Sequence, residues 1–223
     1  MNDTSLPLDP LHRLIIAYAK PADRPRHALV FALDSRFADV IRSTSETLIG
    51  QMRLTWWRDI LTKPIAQRPV GEPLVALINE TERQGTDLAP ILYLLEGWEY
   101  LLDDFPWDDR QFDQYAMKRG EGVFAFALGG AKFLTGDQKI AAQAWALWDF
   151  ARHCSDKDMR TQAFEKCSRM FQTVSPVHFD RSGRALSILC KLMQRDVTRG
   201  SLTADLYRAR VASKIIWHGM TGC

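Results

Sequence analysis

Arg36, Arg53 and Arg58 fall close together in the chain, beside the pair Trp56-Trp57. A guanidinium fork matches the paired oxygens of a phosphate. The three arginines can therefore hold a diphosphate, the alternative for each being an ion-paired surface position. Neighbouring helix residues point about 100° apart, so one of the two tryptophans belongs to a core and the other to a pocket wall or an interface. The run Asp103-Asp104-Phe105-Pro106-Trp107-Asp108-Asp109 concentrates carboxylates. Pro106 breaks any helix there and Asp108 is placed to cap the next, so a loop and a cap are expected rather than a metal site. His153 and Cys154 are adjacent, and the same angular step denies them direct mutual activation. His12, His27, His178 and His218 are scattered and form no zinc constellation. No P-loop, dinucleotide-binding glycine fingerprint or Gly-x-Ser-x-Gly elbow is present.

Helical periodicity positions these residues almost everywhere. Asp9-Pro10 reads as a cap with proline in the first turn, followed by Leu11, Leu14, Ile15 and Tyr18 at helix spacing until Pro21. Pro25 opens a second helix with Leu29, Leu33, Phe37, Val40 and Ile41 on a broad apolar face. Ser45 is placed to cap a third, which ends at Pro64, and residues 63–73 read as an exposed connection. Further helices are expected at about 73–83, 87–104, 109–134, 137–153, 158–170, 183–198 and 202–218. Gly120, Gly122, Gly129 and Gly130 interrupt the long 109–134 segment. They predict a kink there, or a close approach of backbone to a neighbour. No stretch alternates like a strand. The fold class is all-α, a single domain over 1–223.

Within this pattern, Phe31-Ala32-Leu33-Asp34-Ser35-Arg36-Phe37-Ala38-Asp39-Val40-Ile41-Arg42-Ser43 precedes Gly50-Gln51-Met52-Arg53-Leu54-Thr55-Trp56-Trp57-Arg58-Asp59. Together they resemble the first aspartate-rich helix and the succeeding Trp-Trp-Arg helix of squalene/phytoene synthase-like proteins. Tyr115-Ala116-Met117-Lys118-Arg119-Gly120-Glu121-Gly122-Val123 resembles that family's Gly-containing central helix. The resemblance implies an isoprenoid-synthase-like helical bundle with a central cavity. It also implies chemistry on prenyl diphosphates, whose leaving group is neutralised by magnesium ions held on aspartates. Carried onto this chain, the catalytic carboxylates are Asp39 and Asp149. The magnesium ligands, if the protein is active, are Asp39, Asp149 and Asp156. Arg36, Arg53, Arg58, Trp57 and Arg152 face substrate.

The aspartate motifs are eroded. Val40 and Ser43 stand where carboxylates are expected, and His153 replaces another acid. Asp34 lies five residues before Asp39, which turns it about 140° away from it. Imidazole is a poorer magnesium ligand than carboxylate. The expected function is therefore that of a relative without standard synthase activity, binding a prenyl lipid or serving in assembly. One branch of the family resembles mitochondrial factors that assist assembly of respiratory complex I. The alternative is an active transferase joining two isoprenyl diphosphates in terpenoid biosynthesis.

Composition limits the remaining classes. The 223 residues are 46% hydrophobic and 25% charged, which excludes a disordered chain. Lys and Arg total 29 against 27 Asp and Glu, so no basic excess points to nucleic acid. Cys154, Cys167, Cys190 and Cys223 lie far apart and are expected to be reduced thiols. The amino terminus lacks a signal-peptide layout, and the longest apolar run is far short of a bilayer span. A cytoplasmic location is expected, with partners drawn from prenyl diphosphate or isoprenoid lipid, another protein, or the surface of a membrane.

Overall fold

Proline and capping side chains set most of the helix starts in the computed structural model, which describes residues 6, 8–44, 46–174 and 176–203. Asp9 accepts from the His12 backbone N–H and Pro10 begins α1 (Pro10–Ile16). Proline also sits in the first turn of α2 (Arg24–Arg42), α4 (Pro73–Arg83) and α5 (Ala89–Glu99). Its missing N–H costs nothing there, because the first-turn donors have no intrahelical acceptor. Between them α3 (Thr47–Thr62) ends two residues before Pro64. Reciprocal capping boxes, Asp108 with Gln111 and Thr135 with Gln138, open α6 (Asp109–Ala116) and α8 (Gly136–His153). Asp156 caps α9 (Lys157–Gln172), and α10 (Arg184–Arg199) stops at Gly200 in the left-handed region. No strand occurs among the described residues.

The long segment expected at 109–134 is divided. A π-helical turn, Met117–Glu121, joins α6 to α7 (Gly122–Leu128), and Gly129 at φ +92° ends the run. The close approach expected at the glycines is found in that turn. A Cβ on Gly120 would lie 2.2 Å from the Ala142 carbonyl oxygen of α8, and one on Gly122 would lie 2.7 Å from the Leu94 nitrogen of α5. Only glycine lets the turn wedge between these two helices. The segment 87–104 is also shorter as an α-helix, tightening after Glu99 into a 3₁₀ turn, Tyr100–Leu102. The connection 63–73 is exposed as expected, except at Arg68. Buried Arg68 bonds the Lys63 carbonyl and Asn79, and pairs with Glu82 of α4. The expected Ser45 cap and the 202–218 helix lie outside the described residues, apart from the start of the latter.

Residues Leu29 to Leu33 are all at most 2% exposed. A helix buried on every side is central rather than amphipathic, and α2 has that position. Val123 to Ala127 of α7 and Ala144 to Trp148 of α8 are buried in the same way. Amphipathic helices such as α4, α9 and α10 cover these three. At one end of the central group the core opens.

Candidate functional site

A cavity of about 420 Å³ lies among α1, α2, α5, the π turn, α8 and α10. Small-molecule pockets run from roughly 300 to 1,000 Å³, so its size suits a ligand. Trp98, Trp145, Trp148, Phe105 and Phe150 supply aromatic wall, and Asp34, Arg119 and Asp149 supply charge.

The charged groups form one connected unit. The π turn aims Arg119, 3% exposed, inward between α2 and α8. Its Nε and Nη2 donate to the two oxygens of Asp34 at 3.0 and 2.8 Å. Nη2 also donates to Asp149 Oδ2 at 2.7 Å, and Nη1 to the Tyr115 hydroxyl at 2.8 Å. Trp98 Nε1 donates to Asp34 Oδ1 at 2.7 Å. The guanidinium carbon stands 4.6 Å from the centre of the Trp98 ring and 5.1 Å from that of Trp145, within cation–π range. One cation thus bridges two carboxylates from different helices inside an aromatic box.

The titration of the cluster follows from this packing. Burial alone raises the Asp149 carboxyl, but the charge of Arg119 and the bonds from His153 outweigh it and hold it well below the usual carboxylate range. Arg119 is held charged, since the field of Asp34 outweighs its desolvation. Burial pushes the Tyr115 phenol well up. His153, at the rim with its Nδ1 2.8 Å from the Asp149 carbonyl oxygen, is raised by its bond to Asp149.

Of the residues singled out in the sequence, Asp149 and Arg152 line this cavity and Asp39 does not. Asp39 lies on the outer face of α2, more than half exposed and paired with Arg42 at 2.6 Å. The rotation of about 140° between Asp34 and Asp39 is what separates them, and Asp34 is the one turned inward. Arg36, Arg53 and Trp57 lie with Asp39 along a shallow outer groove. Trp57 is 3% exposed and packs edge-on against Phe37, whereas Trp56 is 42% exposed. Arg58 is taken up by both oxygens of Glu99 at 2.7 Å. Arg152 covers the Trp148 ring and donates to the Thr203 carbonyl at 2.7 Å. Asp156 is spent as the cap of α9, accepting from the Asp158 and Met159 N–H groups. The acidic run 103–109 is a loop ending in the Asp108 cap, as expected.

The donor set does not fit a magnesium cluster. Asp34 and Asp149 already face a fixed cation, and Ala38, one turn beyond Asp34 on the cavity wall, has no carboxylate to give. Among the described residues no three His, Cys, Asp or Glu side chains converge to hold a metal ion.

Asp34, Arg119, Tyr115 and Trp98 were not picked out as site residues by sequence reasoning. Two signals in the sequence could have pointed to them. Asp34 is the one acid on an otherwise apolar stretch of α2, and Tyr115 and Arg119 stand one turn apart in the glycine-bearing segment. No protein-family model matches the chain, and no curated protein matches it. Its all-helical architecture is compatible with an isoprenoid-synthase-like bundle.

Proposed function

We propose that this protein is a squalene/phytoene synthase-like protein that keeps the helical bundle and its cavity to hold an isoprenoid or similar apolar lipid, without the metal-assisted transfer. One observation carries the reading: Arg119 lies between Asp34 and Asp149 and bonds both. Ionising a prenyl diphosphate requires several positive charges gathered around the departing phosphates. Here the two inward carboxylates are neutralised by a side chain that cannot leave. Aromatic walls remain, and they favour a hydrocarbon chain through its buried area. A role beside a partner protein in assembly is consistent with a binding module of this kind.

The test incubates the protein with farnesyl or geranylgeranyl diphosphate and magnesium and measures released pyrophosphate. A parallel titration follows binding of a fluorescent prenyl alcohol. The expected outcome is saturable binding of the alcohol with no pyrophosphate above the uncatalysed background. Magnesium-dependent release that is lost in Asp149→Asn would overturn the reading and restore the transferase.

A further inference from the structure

Helix α3 carries apolar side chains on its outer as well as its inner face. Leu48, Met52 and Trp56 recur every fourth residue and are 66%, 65% and 42% exposed, with Ile49 beside them at 40%. Their inner counterparts Leu54, Trp57, Ile60 and Leu61 are buried. The Trp56 ring rests edge-on against Trp57 at 4.9 Å. Apolar side chains standing in water at regular helical spacing mark a contact surface.

The charges beside the stripe indicate what it meets. Trp56 also borders the outer groove, whose charged lining is Arg36, Arg53, Asp39 and Glu72. Arg53 bonds only the hydroxyls of Ser43 and Thr44 at 3.1 and 3.2 Å and has no carboxylate partner among the described residues. Arg36 is paired with Glu72 at 3.6 Å. The other nearby charges are matched, Asp39 with Arg42 and Asp59 with Lys63. Glu46 stands exposed at the amino end of the helix. It is about 10 Å along the axis from Arg53, roughly a Debye length at 0.1 M salt. The groove therefore presents one guanidinium without a carboxylate partner, that of Arg53, next to an indole and a row of aliphatic side chains. A second copy of the chain is a poor fit, since a stable interface takes about 800 Å² from each partner and this strip is one helix wide.

We propose that the outer face of α3 docks on a bilayer of anionic phospholipid. Leu48, Met52 and Trp56 enter the boundary between headgroups and acyl chains, and Arg53 receives a lipid phosphate. Interfacial helices combine apolar burial with attraction to anionic lipid in this way, and tryptophan favours that depth.

Co-sedimentation of the full chain with vesicles of phosphatidylcholine alone, or with 30% phosphatidylglycerol (roughly the anionic content of a charged leaflet), tests this. Expected is binding to the anionic vesicles that falls with salt. Arg53→Gln should weaken it about fivefold, and Leu48→Ser with Met52→Ser about thirtyfold. Glu46→Gln should strengthen it. These positions are exposed, so unchanged circular dichroism and melting confirm that the variants fold. Three results overturn the proposal. One is binding indifferent to these substitutions. Another is no vesicle binding at all. The third is a dimer, seen by light scattering, that the serine substitutions dissolve in place of vesicle binding.

Discussion

Replacing Arg119 by methionine tests whether the cavity is organised around a built-in cation. The side chain is similar in length, but Asp34 and Asp149 then face each other with no positive charge between them. Asp34 keeps one donor, Trp98 Nε1, and Asp149 keeps His153. Removing one partner from a buried pair costs about 3–5 kcal/mol, because the charge left behind stays desolvated. For a protein of this length that corresponds to a fall in melting temperature of roughly 6–20 °C. Urea unfolding at pH 7 measures it. The variant carrying Asp34→Asn and Asp149→Asn as well as Arg119→Met should recover at least half of the loss, since no uncompensated charge remains. The pH dependence supplies a signed check. In the parent, Asp149 has a depressed carboxyl, so its contribution is present above the ordinary carboxylate value and is lost only as pH falls through the lower folded one. In Arg119→Met the Asp149 carboxyl rises, its burden is relieved by protonation, and the deficit shrinks between pH 7 and 5. A loss below about 1 kcal/mol, the range of exposed pairs, would refute the reasoning, as would a triple variant no better than the single one.

Gly120→Ala places a methyl group against the Ala142 carbonyl, which is backbone and cannot rotate away, so a loss of about 2 kcal/mol or more is expected in urea unfolding. His27 is fully buried and its imidazole is pushed down chiefly by desolvation. Stability should therefore fall as pH drops below about 6.5, and His27→Gln should flatten that slope. His153 is raised by Asp149, so its contribution is present below about 6.5 and is lost as pH rises through its folded value; His153→Gln should act in the opposite sense. Burial pushes the Cys167 and Cys190 thiols up to about 12. Mass-spectrometric mapping after alkylation at pH 8 should find both unmodified in the native protein and modified in urea, with the half-buried Cys154 reacting sooner.

The fold was legible in the sequence because its helix boundaries rest on local chemistry. Asp9-Pro10, Pro73 and Asp108 act through neighbours a few residues away, and each does in space what its sequence context implies. Where the reading departs from the structure, long-range packing is responsible. The 109–134 segment is divided by a π turn that exists to pass between α5 and α8, and no residue inside it reveals those neighbours. The site was legible to the same limited extent. Asp149 and Arg152 were identified and line the cavity, whereas attention to Asp39 followed motif register rather than helix rotation. Asp34 and Arg119 are 85 residues apart in the chain. Nothing local in either predicts that a bidentate pair joins them.

That pair also constrains which ligand head the cavity can accept. A magnesium cluster presents several charges and exchanges its waters for phosphate oxygens. The Arg119 fork, by contrast, supplies one charge whose Nε and Nη2 donors are already committed to carboxylates. A diphosphate driven to the depth of Arg119 would meet Asp34 and Asp149 before it met an uncommitted donor. The cations nearer the rim are Arg152, engaged with Thr203, Arg42, engaged with Asp39, and His153 when protonated, engaged with Asp149. On the lipid-holding reading proposed above, the interior disfavours an anionic head and accepts a neutral one. On the proposed reading, a prenyl alcohol should compete for the cavity better than its diphosphate. That order is the reverse of what a metal-loaded synthase site imposes, and a competition titration against the fluorescent alcohol measures it directly. Tighter binding of the diphosphate in the presence of magnesium would mean that Arg119 yields its carboxylates to metal, and the lipid-holding reading would fall with it.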